Sequence, residues 1–256
     1  MPTGRFFVGN LALSPGAEIE LPPEVAHRAR DVLRLTAGNT LCLMDGVGGV
    51  YPSELIEVSR NRIVVRLGER GVPDGVESRL RIVLCQGMLK SARYEIALEK
   101  CTELGVVEFV PLLCQRAVAA TDEASDSKRR RWARIIAEAM EQSGGTCLPE
   151  LALPQTLPQA LSQLPSTGIG LIPWEQEETT SLGDALRQAL SGRTLMEITE
   201  VRLFIGPEGG FTEDEVALAQ RHAAIPVTLG RRILRAETAA IAVVARVQEL
   251  LGVSGP

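Results

Sequence analysis

From about residue 79 the chain alternates short, continuously apolar runs with longer amphipathic ones, and this alternation restricts the fold more than any other feature. Runs of this kind read as buried strands, and strands alternating with helices read as an α/β domain. "LRIVLCQG" (80–87), "VVEFVPLL" (106–113), "GIGLIPW" (168–174), "VRLFIG" (201–206) and "IPVTLG" (225–230) are the predicted strands. "SARYEIALEKCTELG" (91–105) reads as a helix ended by Gly105. Within 125–143, Trp132, Ile135, Ile136, Ala139 and Met140 recur at i, i+3, i+4, i+7 and i+8, the spacing of one helix face. "TEDEVALAQRHA" (212–223) opens with Thr212-x-x-Glu215, a capping box. A final helix is predicted from Ala236 to Leu251.

The first seventy or so residues follow another pattern. "TLCLM" (40–44), "VYPSELIEV" (50–58) and "RIVVRL" (62–67) are β-rich, and "DGVGG" (45–49) between the first two is hairpin chemistry. Pro22-Pro23 opens one helix, 24–35, followed by Gly38. The expected unit is a small β-barrel carrying one helix, joined to the rest by the linker-like "GERGVPDGVES" (68–78). At 100° per residue His27, Arg30 and Arg34 share one helix face, with Val25, Ala29, Val32 and Leu33 opposite. Such a stripe is an ordinary solvated face or a track for phosphate backbones.

Several chemistries find no support. The five cysteines are widely spaced without C-x-x-C, which fits a reducing cytoplasm better than a disulfide framework or a zinc ribbon. The two histidines, His27 and His222, belong to no ligand spacing, so no metal is expected. "EQSGG" around Ser143 lacks the first glycine of a nucleophile elbow, and Cys85 at a strand end has no evident base. "AAIAVVA" (239–245) is too short to span a membrane, and "MPTGRFFVGN" lacks the basic region plus apolar core expected of a signal peptide. Net charge is −5, yet "KRRRWAR" (128–134) gathers five basic residues with no acid, a local basic face compatible with RNA.

What remains is a pair of strand-exit loops, "IGPEGG" (205–210) and "LGRRILRAET" (229–238). A phosphate cradle points backbone N–H groups at an anion. Pro207 has no N–H to give and Glu208 would repel phosphate, so the first loop suits a phosphate-free ligand. Parallel α/β sheets hold ligands at the carboxyl ends of their strands, so the two loops are candidates to wall one site. Arg231, Arg232 and Arg235 flank the apolar Ile233-Leu234 beside Glu237. That mixture suits a nucleoside with a cationic centre, such as S-adenosylmethionine, next to an anionic or electron-rich partner.

"HRARDVLRL", "EKCTELGVVEFVPL", "RWARIIAEAMEQS", "FIGPEGGFTEDE" and "LGRRILRAETAA" occur in that order along nearly the whole chain. Together they closely resemble the bacterial 16S ribosomal RNA uracil-N3 methyltransferases of the SPOUT superfamily. The resemblance implies a PUA-like RNA-binding β-barrel over 1–72 and an α/β trefoil-knot methyltransferase domain over 73–256. It implies a homodimer that uses S-adenosylmethionine to methylate one uridine of 16S rRNA in the small ribosomal subunit, in the cytoplasm. The cofactor would lie between Ile205, Gly206, Pro207, Glu208 and Gly210 of the first loop and Leu229, Gly230, Ile233, Leu234 and Thr238 of the second. The strand end Leu171, Ile172 and Pro173 would be the third wall, with backbone groups of Gly206, Leu229 and Leu234 holding most of the ligand. Catalysis falls to Arg235, stabilising charge on the uracil oxygens, with Glu237 orienting it or helping to bind the cofactor. Backbone contacts to RNA fall to His27, Arg30, Arg34, Lys90, Arg93 and Arg116. The chain departs from the family pattern at "GGTCLPEL" (144–151) and at Gln115, where RNA contacts on that face would shift to Arg116 and the 128–134 cluster. Methylation of a ribose 2′-hydroxyl or of another RNA, and a non-catalytic RNA-binding assembly factor, stay open as alternatives.

Overall fold

A computed structural model describes residues 4–9, 11–73, 78–117 and 125–252. Parts of the linker (74–77), of "CQRAVAA" (118–120) and of the N-terminus (1–3 and 10) lie outside the described residues. Contacts divide the chain into two units. One holds the residues up to 77 together with Met140–Leu148, and the other holds Ser78–Ala139 and the chain from Pro149 onward.

The first unit is built on a five-stranded sheet. Its strands are β1 (Arg5–Phe7), β2 (Glu18–Glu20), β3 (Thr40–Met44), β4 (Val50–Val58) and β5 (Ile63–Leu67), in the order β1-β3-β4-β5-β2. Only β1 runs parallel to its neighbour. The period-two side chains Leu41 and Leu43, Tyr51 and Leu55, and Ile63, Val65 and Leu67 all enter one core with Phe6. In the β3–β4 hairpin the Asp45 carboxylate accepts the N–H groups of Val47 (2.8 Å) and Gly49 (2.7 Å), which fixes the predicted turn.

The helix expected over 24–35 is α-helical only from Pro23 to His27 (α1) and continues as a π-helical turn, Arg28–Val32. The Leu33 N–H donates to the Arg28 carbonyl, an i→i+5 bond. The wider turn breaks the 100° phase on which the expected apolar face depended. Val25 and Ala29 are buried as predicted, whereas Val32 and Leu33 turn to solvent, Val32 at 64% exposure. Arg34 then sits at φ 55°, in the left-handed region.

The second unit is built on a seven-stranded sheet in which every pairing is parallel. Its strands are β6 (Arg81–Gly87), β7 (Glu108–Leu113), β8 (Glu150–Leu151), β9 (Gln155–Thr156), β10 (Ile169–Pro173), β11 (Glu200–Ile205) and β12 (Ala224–Val227). The order is β12-β10-β11-β6-β7-β8, with β9 also paired to β7. Alternate side chains serve two cores, as a doubly covered sheet requires. Ile82, Leu84, Leu203 and Ile205 pack with α2 (Ser91–Glu103), α3 (Asp126–Ser143), α5 (Leu182–Ala189) and α7 (Ala236–Leu251). Val83, Cys85 and Phe204 pack with α4 (Leu157–Ser162) and α6 (Glu213–Arg221) on the other face. Within the first of these cores Tyr94 and Trp132 stack at 4.5 Å.

Three local arrangements keep this sheet intact. Pro111 of β7 lacks an N–H, and it falls opposite the interval between β8 and β9, where no outer partner needs one. Arg129 donates to the carbonyls of Leu151 (3.2 Å) and Ala152 (2.7 Å) where β8 ends. Arg202, buried in the central strand β11, pairs with Glu200 at 2.8 Å and donates to the Ala160 carbonyl and Gln163. Its charge is thereby compensated, the condition for burying a guanidinium.

The last turn of α3 belongs to the first unit. Its Glu141, buried, accepts the Phe7 N–H at 2.7 Å and pairs with Arg28 at 2.7 Å, while Met140 joins Cys42, Met44 and Val50 in a small apolar cluster. Replacing Glu141 with alanine removes the buried carboxylate, which leaves Arg28 without its ion pair and the Phe7 N–H unsatisfied. Glu141→Ala should destabilise the first unit by about 2 kcal/mol, read as a lower urea midpoint by tryptophan-independent circular dichroism.

Candidate active site

Strands β10, β11 and β12 are mutually parallel neighbours, with β10 in the middle, so their carboxyl ends lie side by side. The chain leaving each of them contributes to one cavity of about 450 Å³. From β11 come Ile205 to Phe211, from β10 Pro173, Trp174 and Glu175, and from β12 Thr228 to Ala236. Ala239 of α7 and Arg93 of α2 complete the lining. The volume is that of a small-molecule site.

Local sequence explains how the loops hold their shape. Thr212 caps α6 by accepting the Glu215 N–H at 3.2 Å, and Glu215 accepts the Thr212 N–H at 2.9 Å, the predicted capping box. The other Glu215 oxygen accepts the N–H of Gln115 at 3.0 Å. Arg116 donates to the carbonyls of Gly209 (3.2 Å) and Phe211 (3.4 Å), so it props the glycine loop from behind. Gly210 has φ +68°, and a β-carbon there would fall 2.6 Å from the Glu175 carboxylate, which packs against its backbone. At the end of β6, Gly87 lies against the Gly206–Pro207 peptide so closely that a β-carbon would sit 2.5 Å from the Pro207 nitrogen. Leu229 is held from α7, whose Arg246 donates to its carbonyl at 3.4 Å.

The structure brings together most of the residues expected at the cofactor site. Pro173, Ile205, Gly206, Pro207, Glu208, Gly210, Leu229, Gly230, Ile233 and Leu234 line the cavity, as does Arg235. Leu171 and Ile172 are fully buried in the two sheet cores and set the strand that carries Pro173. Thr238 is exposed on α7, outside the lining. Trp174, Glu175 and Phe211 were not anticipated. Phe211 and Trp174 follow directly on the predicted segments, and only the turn geometry brings them inward. Ile233 is 87% exposed although it is a bulky aliphatic, standing at the rim between three arginines.

Glu237 does not reach Arg235. It is buried in the first turn of α7, and its ion pair is with Arg93, Nε to Oε1 at 3.9 Å. Arg235 is the exposed N-cap residue of α7, with its side chain on the cavity wall. Cys85 is buried beneath the sheet, and burial pushes its thiol far above the ordinary range, which suits a core residue. Burial likewise pushes the Cys114 thiol up to about 12.

The residues expected to meet RNA divide into free and engaged side chains. His27 is exposed, 3.6 Å from Asp31. Arg30 is committed to Asp31 at 2.7 Å and to backbone carbonyls of Ser59 and Arg60, and its guanidinium holds the Asp31 carboxyl below the usual range. In the basic run 128–134, Arg129 serves β8, Arg131 pairs with Glu95 at 2.7 Å and Arg134 with Glu138 at 3.5 Å. The charge count of that run therefore overstates what it offers a phosphate. Among the described residues no group of three or more His, Cys, Asp or Glu side chains could hold a metal ion, and no helix is long and apolar enough to cross a membrane.

A doubly covered parallel sheet with an open cavity at its strand exits, walled by glycine loops unsuited to phosphate, defines an α/β enzyme domain for a nucleoside-type ligand. The RNA methyltransferase domain matches residues 76–248, and the RNA methyltransferase PUA domain matches residues 21–68. The chain belongs to this RNA methyltransferase family. It is 34% identical over 237 residues to the ribosomal RNA small subunit methyltransferase E of Synechocystis, covering 92% of this chain and 74% of that protein. With the protein of the same name from Rickettsia conorii it shares 30% identity over 258 residues, 98% of this chain and 97% of that one. The crystal structure of ribosomal RNA small subunit methyltransferase E from Neisseria gonorrhoeae, bound to S-adenosylmethionine, superposes with a TM-score of 0.84. Its sequence is 31% identical, over 97% of this chain and 98% of that one.

The close approach at Gly87 makes one residue outside the cavity lining responsible for its shape. Gly87→Ala forces the Gly206–Pro207 peptide to move, because the contacting atoms are backbone. Its affinity for S-adenosylmethionine, measured by calorimetry, should fall about tenfold or more, with a loss of about 1–3 kcal/mol in stability.

Proposed function

We propose that this chain transfers a methyl group from S-adenosylmethionine to N3 of one uridine in the 16S rRNA of the small ribosomal subunit. The convergence of the "GPEGG" and "RILRAET" loops with the end of β10 on a single cavity carries this reading. The lining suits the cofactor. Pro207 offers no N–H and Glu208 places a carboxylate where a phosphate would be repelled, while apolar Ile205, Phe211, Leu229 and Leu234 accommodate a flat ring. When bound, the cofactor supplies an electrophilic methyl group. Gly206, Leu229 and Leu234 would hold it mainly through backbone groups.

What the chain must add is a uracil anion in line with that methyl. N3–H is flanked by two carbonyls, and its loss spreads negative charge over O2 and O4. Arg235, fixed by its place at the start of α7 and facing the cavity, is the side chain to stabilise that charge. The titratable side chains that line the cavity are arginines and the carboxylates of Glu175 and Glu208, and water or hydroxide suffices to take the proton. The N3 lone pair then forms the new N–C bond as the methyl's bond to sulfur breaks, and that electron pair stays on sulfur.

The trefoil knot of the SPOUT superfamily belongs to the same proposal; α7, which follows edge strand β12, packs in the core with α2, β6 and β11. The enzyme would act as a homodimer in the cytoplasm. Among the described residues expected to meet RNA, Arg34 and Lys90 have no carboxylate within ion-pair distance and are the side chains for the RNA backbone, with the exposed His27 beside Asp31, and binding should weaken as salt rises.

Methyl transfer from labelled S-adenosylmethionine to small subunits lacking the modification, with naked rRNA in parallel, tests the assignment. The expected product nucleoside is N3-methyluridine at one site, formed on subunits and only weakly on naked RNA. A 2′-O-methylated product, or transfer only to another RNA, would replace the substrate named here. Cofactor binding with no transfer at all would favour an assembly factor. Arg235→Ala should lower kcat about 100-fold or more while cofactor affinity stays within a few fold, and a normal rate would remove Arg235 from the mechanism.

A further inference from the structure

Arg93 stands where three elements meet. It lies in the first turn of α2 and lines the cavity, and its guanidinium faces one carboxylate from each of the two cofactor loops. Nη1 is 3.6 Å from Oε1 of Glu208, in the loop after β11. Nε is 3.9 Å from Oε1 of Glu237, in the first turn of α7. Glu208 also accepts the Lys90 N–H at 3.2 Å, at the start of α2. Among the described residues Arg93 is the one cation within ion-pair distance of either carboxylate. The Glu237 side chain is only 10% exposed, and its Oε2 is buried without a hydrogen-bond partner.

We infer that Arg93 is a positioning residue for cofactor binding, the charge that ties the two cofactor loops together, rather than a contact to the RNA backbone. The inference rests on the cofactor site proposed above. A buried carboxylate is tolerable only while paired. Without Arg93 the buried Glu237 carboxylate has no cation beside it, and Glu208 keeps only a backbone N–H. Two carboxylates that share one guanidinium then lose it, and with it the charge that links the loop after β11 to the start of α7. Both separations are ion-pair distances with no hydrogen bond formed, so the tie depends on charge more than on the guanidinium fork. A lysine of the same charge therefore preserves most of it, which would not hold at a bidentate site.

Calorimetry with S-adenosylmethionine alone, without RNA, on wild type, R93A, R93K and the double variant R93A/E237Q reads the tie directly. R93A should bind about tenfold more weakly or worse, R93K should stay within about threefold of wild type, and R93A/E237Q should regain part of the loss because the unpaired charge is gone. In turnover, KM for the cofactor should rise in R93A while KM for small subunits does not. The dependence of subunit binding on salt should keep its wild-type slope. An R93A protein that binds cofactor normally but whose salt slope drops by about one makes Arg93 a phosphate contact and overturns the inference. A double variant no better than R93A overturns the charge tie. Should R93A fail to fold, R93M against R93K poses the same comparison of charge. Wild-type protein that does not bind S-adenosylmethionine would sink the cofactor reading itself, a result distinct from all of these.

Discussion

Parallel pairing of β10 with both β11 and β12 is the constraint on which the functional geometry depends. Parallel strands all exit at one edge, so three loops remote in sequence emerge as neighbours there. None of them needs to be long or to carry its own secondary structure. Each is anchored from outside. Gly87 lets the loop after β11 press against β6, Arg116 and Glu215 brace its far end, and Arg246 holds the start of the loop after β12. The cavity is thus shaped by residues that mostly do not face it.

Much of this was legible in the chain because local chemistry and periodicity agree with the fold. The strands β3 and β4, the capping box of α6 and the limits of α7 follow directly from alternation, Thr212-x-x-Glu215 and the apolar spacing of 236–251. The π-helical turn did not, since a one-residue widening leaves no trace in composition, and it reverses the exposure of Val32 and Leu33. Short elements such as β1, β2, β8 and β9 carry too few residues to show a period. The order of strands in the sheet, on which the cavity rests, is a long-range property. The motif residues could be named from their loops, but only the pairing of β10 between β11 and β12 explains why those loops meet.

Basic residues were the hardest to read. Arg30, Arg93, Arg116, Arg129, Arg131 and Arg202 are the same residue type, and their partners lie from one to more than a hundred positions away. A run such as 128–134 looks like one electrostatic feature in sequence. In the fold it supplies an ion pair on α2, a cap on two strand carbonyls and a helix-surface pair. Charge counted along a chain measures potential at a distance, whereas availability to a phosphate depends on which donors are already used.

The assignment of Met140–Leu148 to the first unit has a consequence for how this protein is inherited and divided. The chain passes from the first unit to the second, comes back for one helical turn and the following loop, and then leaves again. Neither unit is therefore a continuous stretch of gene. A fragment ending at residue 77 would encode a sheet whose Phe7 N–H and Arg28 have lost Glu141, and whose Met44 and Val50 have lost Met140. Recombination that exchanged this unit for another would have to carry two segments at once. The chain crosses between the units three times, so no single cut frees either of them.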